Sequence, residues 1–450
     1  MDKSVYKKNQ AKKVFFIIIL FLQVFEYALF EASPSFKSID EMVAAISLAY
    51  VFLIVTTTRS IFLRFEAKLI GCLIIVIIIG LLSNLIFNYQ PLSSVASDLI
   101  IFTKFILGYF LSRFLFRNAD IGLVKGTVIK ICRAVSVFLA VILVINIITN
   151  IFPHYIDFRF FMYSQQLFFG HPTFMGATCV ALMALLMGFK EEGKSNNFYI
   201  LLCIFVAFFT FRFKILIFLA FFIVILLYES KKKQIGKLVI AVIVVAGIIF
   251  SYQQITYYYV DHTGFARNVL TVTAFKVADD HFPLGAGFAS YGSYQSGVHY
   301  SPVYHKYGVD HVWGMTKKEY SFISDTFWPM IIGQFGYIGL VFFLLFLLIL
   351  MSMINKLRSL NYSYYYSSLA CVVYLLISST SESSFVQPFA VLFFYIIGSY
   401  VSQLVVKQEK TICTGVVKNE DTINKQVLFY KGRKRNVLLR NKKPFGTKWS

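Results

Sequence analysis

The chain has 450 residues, 58% of them hydrophobic and 14% charged, with a formal net charge of +21 and a mean hydropathy of +0.70. A soluble protein of this length carries roughly a quarter charged residues, so an ordinary water-soluble enzyme is excluded. The excess of Lys and Arg does not point to nucleic acid, because it falls in short segments between apolar runs.

Stretches near 18 to 20 apolar residues recur, the length needed to cross a ~30 Å hydrocarbon core. The pattern predicts twelve spans, at about 14–31, 40–58, 69–88, 95–114, 131–152, 171–189, 197–211, 214–228, 237–256, 326–351, 363–380 and 389–406. The first follows a basic N-terminus with no small-residue cleavage site after it, so it reads as a retained span rather than a signal peptide. Spans in lipid must be helical, because the bilayer offers no partner to open backbone groups. Segments 1–13, 59–68, 113–133, 190–194, 229–237, 352–361 and the tail after 406 hold 33 of the 43 Lys and Arg. They alternate between spans, which makes them, and both termini, cytoplasmic. The expected architecture is an all-α integral membrane protein of about twelve transmembrane helices over residues 1–406. One large extracytoplasmic loop, 257–325, separates spans 9 and 10, and a basic cytoplasmic tail covers 407–450. That tail reads as a solvated segment against anionic lipid headgroups.

Residues 197–228 are read as two short helices turning at "TFRFK", since two charges in the middle of one span are costly. The turn places Arg212 and Lys214 at the outer face. All seven histidines (His154, His171, His262, His281, His299, His305 and His311) fall outside the spans or at their outer edges, and the cytoplasmic segments hold none. Chemistry on the outer side follows. None of the six cysteines lies in an outer loop, so no disulfide framework is expected. No metal-ligand spacing, P-loop or dinucleotide fingerprint occurs, so neither metal nor cofactor is expected.

The outer loop is rich in Tyr, Phe and Gly. Residues 265–278 fit an amphipathic helix with Val269, Val272 and Phe275 three apart, stopped at Pro283 and the following glycines. Such a helix at the membrane surface holds Arg267 over the mouth of the bundle.

Arg267, Phe275, "PLGAGF" at 283–288 and "SYG" at 290–292 resemble the outer loop of the O-antigen polymerase and ligase superfamily. "TFRFK" at 210–214, "GHPT" at 170–173 and "SDTFWPMIIGQFGYIGL" at 324–340 resemble three further pieces of that family in the same order. The resemblance covers roughly residues 165–345. It implies an enzyme of the outer leaflet that acts on glycan repeat units carried on a polyprenyl pyrophosphate, joining a donor to an acceptor. Its partners are then the lipid-linked donor and acceptor and the surrounding lipid, with chain-length regulator and flippase proteins beside it. Arg212, Lys214, Arg267 and His171 are the expected substrate-binding residues, since Arg binds phosphate bidentately and stabilises a leaving group that gains charge. The family's ligases place a histidine at the start of the span after the big loop. This chain has Ser324-Asp325 there. Asp325 is therefore the first candidate general base, with His311 and His305 as alternatives, and a polymerase fits better than a ligase.

Other readings of these residues stay open. Arg212 and Lys214 fit snorkelling charges, Arg267 a surface charge, His171 a cap, and Asp325 an N-cap. Lys104 and Glu26 fit functional intramembrane charges or snorkelling. Gly285 and Gly287 fit a turn. Tyr291, Tyr294, Tyr300 and Tyr304 fit sugar-stacking platforms. Two other functions compete: a flippase for the same lipid-linked sugars, and a different lipid-sugar glycosyltransferase using Glu31, Asp40 and Glu41 of the first outer loop.

Overall fold

The structure is a computed structural model that describes residues 3–36, 38–57, 62–117, 119–153, 155–160, 162–190, 195–230, 252, 256 and 265–413. Among these, almost everything is helical. In chain order the helices are α1 (Lys3–Val24), α2 (Glu26–Ala32), α3 (Ile39–Thr57), α4 (Arg64–Phe87), α5 (Leu92–Leu115), α6 (Gly122–Thr149), α7 (Pro172–Gly188), α8 (Asn197–Phe208), α9 (Phe213–Ser230), α10 (Ala266–Asp280), α11 (Tyr294–Val298), α12 (Pro302–Lys306), α13 (Phe327–Lys356), α14 (Tyr362–Ser378) and α15 (Pro388–Cys413). A two-residue antiparallel hairpin pairs Phe158–Arg159 with Met162–Tyr163.

The helix ends follow from the sequence. Asn88 and Asn150 end α4 and α6 in the left-handed conformation, at φ 49° and 52°, which asparagine tolerates better than other non-glycine residues. Pro172 opens α7, where its missing N–H costs nothing. The chain bends by 66° between α1 and α2.

α5 packs between α15 and α3; α13 packs on α4 and α10; α14 packs on α7 and α9. α7 is buried along its length apart from Phe174. The peripheral helices instead turn apolar side chains outward: Phe52, Leu85, Ile148 and Leu348 are 69%, 81%, 76% and 66% exposed. Stripes of this kind are stable only against an apolar medium, and with the long apolar helices they make the chain a multi-pass membrane protein.

The expected count of twelve spans is not upheld. Among the described residues six helices are long and apolar enough to cross a membrane, or seven if the bent α1–α2 pair is one span. For α7 and α8 the physical reason is length: they have 17 and 12 residues, and 12 residues rise only about 18 Å, short of a ~30 Å core. The span expected at 237–256 lies outside the described residues, apart from Tyr252 and Thr256. So do residues 257–264 of the loop and the tail beyond Cys413. The last helix runs past the expected end at 406 to Cys413.

The described part of the loop, 265–325, packs directly on the bundle. Its own core gathers Leu270, Ala274, Val277, Tyr291, Val303, Tyr304 and Ile323. α10 forms as expected but turns a different face inward. Leu270, Ala274, Val277 and Ala278 are fully buried, whereas Val272 and Phe275 are exposed. Spacing of four, seven and eight makes one helical stripe, and the two alanines allow α10 to approach α13 closely.

The glycine turn wedges into the bundle. Ala286 and Gly287 donate backbone hydrogen bonds to the carbonyls of Gly333 and Gln334, both at 2.9 Å. Asn84 of α4 bonds both the N–H and the carbonyl of Phe288 (2.7 and 3.0 Å). Asp98 of α5 accepts from Ala289 N (2.7 Å) and Gln334 Nε2 (2.9 Å). α13 breaks where the turn meets it: Gly336 has φ 63° and ψ −166°. The glycines thus shape a turn and a close backbone approach.

Candidate functional site

The site lies at the end of the bundle that carries the loop, where α7, α9, α10 and α13 begin and α14 ends. Arg212 occupies the tight α8–α9 turn, which Phe211 enters at φ 48°. Its Nη1 donates to Asp157 Oδ2 at 3.1 Å. Arg159 donates to that same oxygen at 3.0 Å, so two guanidinium groups share one carboxylate. The ring of Tyr155 lies 4.6 Å from the Arg212 guanidinium. Arg212 Nε and Nη2 are buried, and the Tyr155 hydroxyl shares in holding the guanidinium.

One step along α9, Lys214 Nζ lies 2.8 Å from Glu382 Oε2. In the first turn of α10, Arg267 Nε donates to Asp325 Oδ2 at 2.6 Å. Lys214 also acts electrostatically on both Asp325 and Arg267, which makes one cluster of the two ion pairs. The start of α13 is stitched to the end of α14: Phe327 N donates to Ser379 O (3.3 Å), Trp328 Nε1 to Ser379 Oγ (3.0 Å), and Ser383 Oγ to the carbonyls of Ser324 (2.8 Å) and Thr326 (3.2 Å). These bonds set Asp325 and Glu382 on neighbouring segments.

His171 caps α7, its Nδ1 accepting from Thr173 N at 3.1 Å, with its ring 4.8 Å from that of Tyr155. The capping role requires Nδ1 to be unprotonated. Burial first, then the charges of Arg212 and Lys214, push its pKa down to about 3. The group is therefore neutral through the physiological range. Gly170 before it, at φ +70°, leaves no room for a side chain beside the Glu31 carboxylate. Asp325 is pushed above the ordinary carboxylate range by burial, against the opposing pull of Arg267 and Lys214.

The structure thus gathers Arg212, Lys214, Arg267, His171 and Asp325, five of the seven residues expected from sequence. Neither Arg212 nor Lys214 snorkels, since their side chains are 14% and 13% exposed and each meets a carboxylate. Asp325 is not the cap of α13; Thr326 holds that position.

His305 and His311 lie apart from this cluster. Both turn to Asp310, His305 Nδ1 at 2.6 Å and His311 Nε2 at 3.7 Å. Their side chains are 59% and 86% exposed, which suits neither a shielded base nor the cluster around Asp325. They sit there because the short α12 and the turn after it are solvated rims of the loop. Tyr291 and Tyr304 are not sugar platforms: both are fully buried, with Tyr291 OH bonded to Leu270 O (2.8 Å) and Tyr304 OH held by Gly292 N (2.8 Å). Tyr300 is tied to Met315 O at 2.6 Å. Only Tyr294 of the four is exposed. Lys104 does not snorkel either; it is buried against Asp40, whose N–H donates to Glu26 Oε1 at 3.0 Å. That pairing occupies Asp40, one of the first-loop acids expected of a different glycosyltransferase. His154 and His262 lie outside the described residues. Among the described residues no group of three or more His, Cys, Asp or Glu could hold a metal ion.

Sequence reading missed Glu382, Asp157, Arg159 and Tyr155. A signal for Glu382 existed: it is the only charged residue between Arg358 and Lys407.

The titration of His171 has a measurable consequence. Its folded pKa lies below the ordinary value near 6.5, so the unfolded chain binds a proton that the folded chain rejects. Stability is full above the ordinary value and falls as pH drops from about 6.5 toward 3. His171→Asn keeps a side-chain cap and removes the titration. The melting temperature of the variant should therefore fall less between pH 7 and 5 than that of the wild type, measured in the same detergent. Parallel curves would contradict the buried neutral histidine.

No protein-family model matches the chain, and no curated protein matches it.

Proposed function

We propose that the chain is a polymerase that joins polyprenyl-pyrophosphate-linked oligosaccharide repeat units on the outer face of the cytoplasmic membrane. The observation that carries this reading is the meeting of Arg212, Lys214 and Arg267 at one end of an apolar bundle, each held by a different carboxylate. Buried cations of this kind are costly unless paired, and a lipid pyrophosphate at the membrane surface is a partner that can exchange with the carboxylates. Arg212 pairs with Asp157 through Nη1 alone, and its guanidinium fork matches two phosphate oxygens.

The chemistry follows from the charges. As the bond between the anomeric carbon and the pyrophosphate breaks, negative charge grows on the leaving oxygen. Preorganised Arg and Lys side chains stabilise that state more than the ground state. A neutral His171 between Arg212 and Lys214 adds no repulsion among the cations. An acceptor hydroxyl needs a base, and the cluster supplies two carboxylates, Asp325 and Glu382. The clustering of all seven histidines away from the basic segments supports an outer position for this end of the bundle, where neither ATP nor a nucleotide sugar is at hand and the donor must carry its own leaving group.

Deletion of the gene, read on a surface-glycan gel, tests the reading. A single repeat unit in place of a ladder is the expected result. An intact ladder stranded on the lipid carrier would make the protein a ligase, and repeat units held on the inner leaflet would make it a flippase.

A further inference from the structure

Glu382 lies in the turn between α14 and α15, half-enclosed by the start of α13. Lys214 holds its Oε2 at 2.8 Å, and its side chain is 14% exposed. Its Oε1 is buried with no hydrogen-bond partner, and Ser381 Oγ and Thr326 Oγ1 are buried orphans on the same stitched segments. A buried polar atom left unpaired is costly, and more so when it carries charge. Ser381 and Glu382 are chain neighbours and Ser383 Oγ ties their turn to the Thr326 carbonyl, so the three oxygens sit on adjoining segments, and a ligand rich in hydroxyl groups has the donors they lack. The phenols of Tyr27 and Tyr374 both feel the Glu382 charge. Tyr27 stacks on Phe174 with ring centroids 3.7 Å apart.

We propose that Glu382 is the proton acceptor of the transfer, and that Ser381 and Thr326 line the subsite for the attacking sugar; this rests on the polymerase reading above. Asp325 is the poorer base: each carboxylate is held by a cation, but the side chain of Asp325 is 31% exposed and that of Glu382 14%. A carboxylate open to water would activate water as readily as sugar. Asp325 is instead the positioning residue that fixes Arg267 over the leaving group. In the step itself the acceptor O–H bond breaks and its proton passes to Glu382 Oε1. The acceptor oxygen bonds to the anomeric carbon, and the bond from that carbon to pyrophosphate breaks with its electron pair on the phosphate oxygen. The proton then passes to water, and no oxidant or reductant is required.

The test uses purified full-length protein, repeat units extracted on their lipid carrier, and farnesyl pyrophosphate as a probe of the donor site. Glu382→Gln keeps size and removes the basic oxygen. Turnover should fall about 100-fold or more, with farnesyl pyrophosphate affinity retained and the acid limb of the pH–rate profile lost. Glu382→Asp should recover part of the rate, as a cap or packing role would not require. Asp325→Asn should instead weaken farnesyl pyrophosphate binding. Normal turnover in Glu382→Gln overturns the assignment, and so does loss of probe binding in that variant, which would make Glu382 structural. A wild-type protein that binds the probe and forms no polymer contradicts the polymerase reading and takes this assignment with it.

Discussion

Arg267→Ala should abolish polymer while the protein remains inserted in the membrane. Arg267 stands one residue into α10, a helix anchored by Leu270, Ala274, Val277 and Ala278. None of these depends on the arginine, so the helix should survive its loss. What is lost is a cation at the leaving group, and removing one such donor costs about 10²–10³ in rate. The loss should be larger here, because Asp325 is left as an unpaired carboxylate that repels the pyrophosphate. Arg267→Lys keeps the charge and loses the fork, so a partial rate is expected. The measurement is chain-length distribution on a gel at matched expression. Wild-type length and yield from Arg267→Ala would remove it from the site.

The second large effect is on folding. Gly336 breaks α13 at φ 63° and ψ −166°, a region essentially closed to other residues. A Cβ there would also stand 2.0 Å from the carbonyl oxygen of Leu284. Gly336→Ala must therefore push the glycine turn off the bundle, breaking the bonds from Ala286 and Gly287 to α13. A destabilisation of about 4 kcal/mol or more is expected, the range reserved for strain and overpacking together. Gly126→Ala in α6 is the control. A Cβ at Gly126 meets nothing within 4 Å, and the change should be neutral or stabilising by up to about 1 kcal/mol. The measurement is the monodisperse fraction and melting temperature in detergent. Equal behaviour of the two variants would contradict the wedge.

The chemistry-bearing residues were partly legible because charge in an apolar chain is conspicuous. Arg212 and Lys214 interrupt a hydrophobic run, and Arg267 precedes a run of glycines. Their partners were not legible. Asp157 lies 55 residues from Arg212, and Glu382 pairs across the bundle with Lys214, so no local spacing carries either contact. Hydropathy also measures apolar character rather than length, which is why the 12 residues of α8 read as a span. The inward face of α10 was misread for a related reason. Val272 and Phe275 are the more hydrophobic residues, but Ala274 and Ala278 are the ones small enough for close approach to α13.

One preparation tests the central claim most directly. Purified protein in liposomes is given the lipid-linked repeat unit alone, with no nucleotide and no other enzyme. A ladder of lengthening glycan on the lipid carrier, with release of one free polyprenyl pyrophosphate per bond formed, is the expected result. Protein that binds the lipid-linked unit and returns it unchanged, with no pyrophosphate carrier released, would contradict the account.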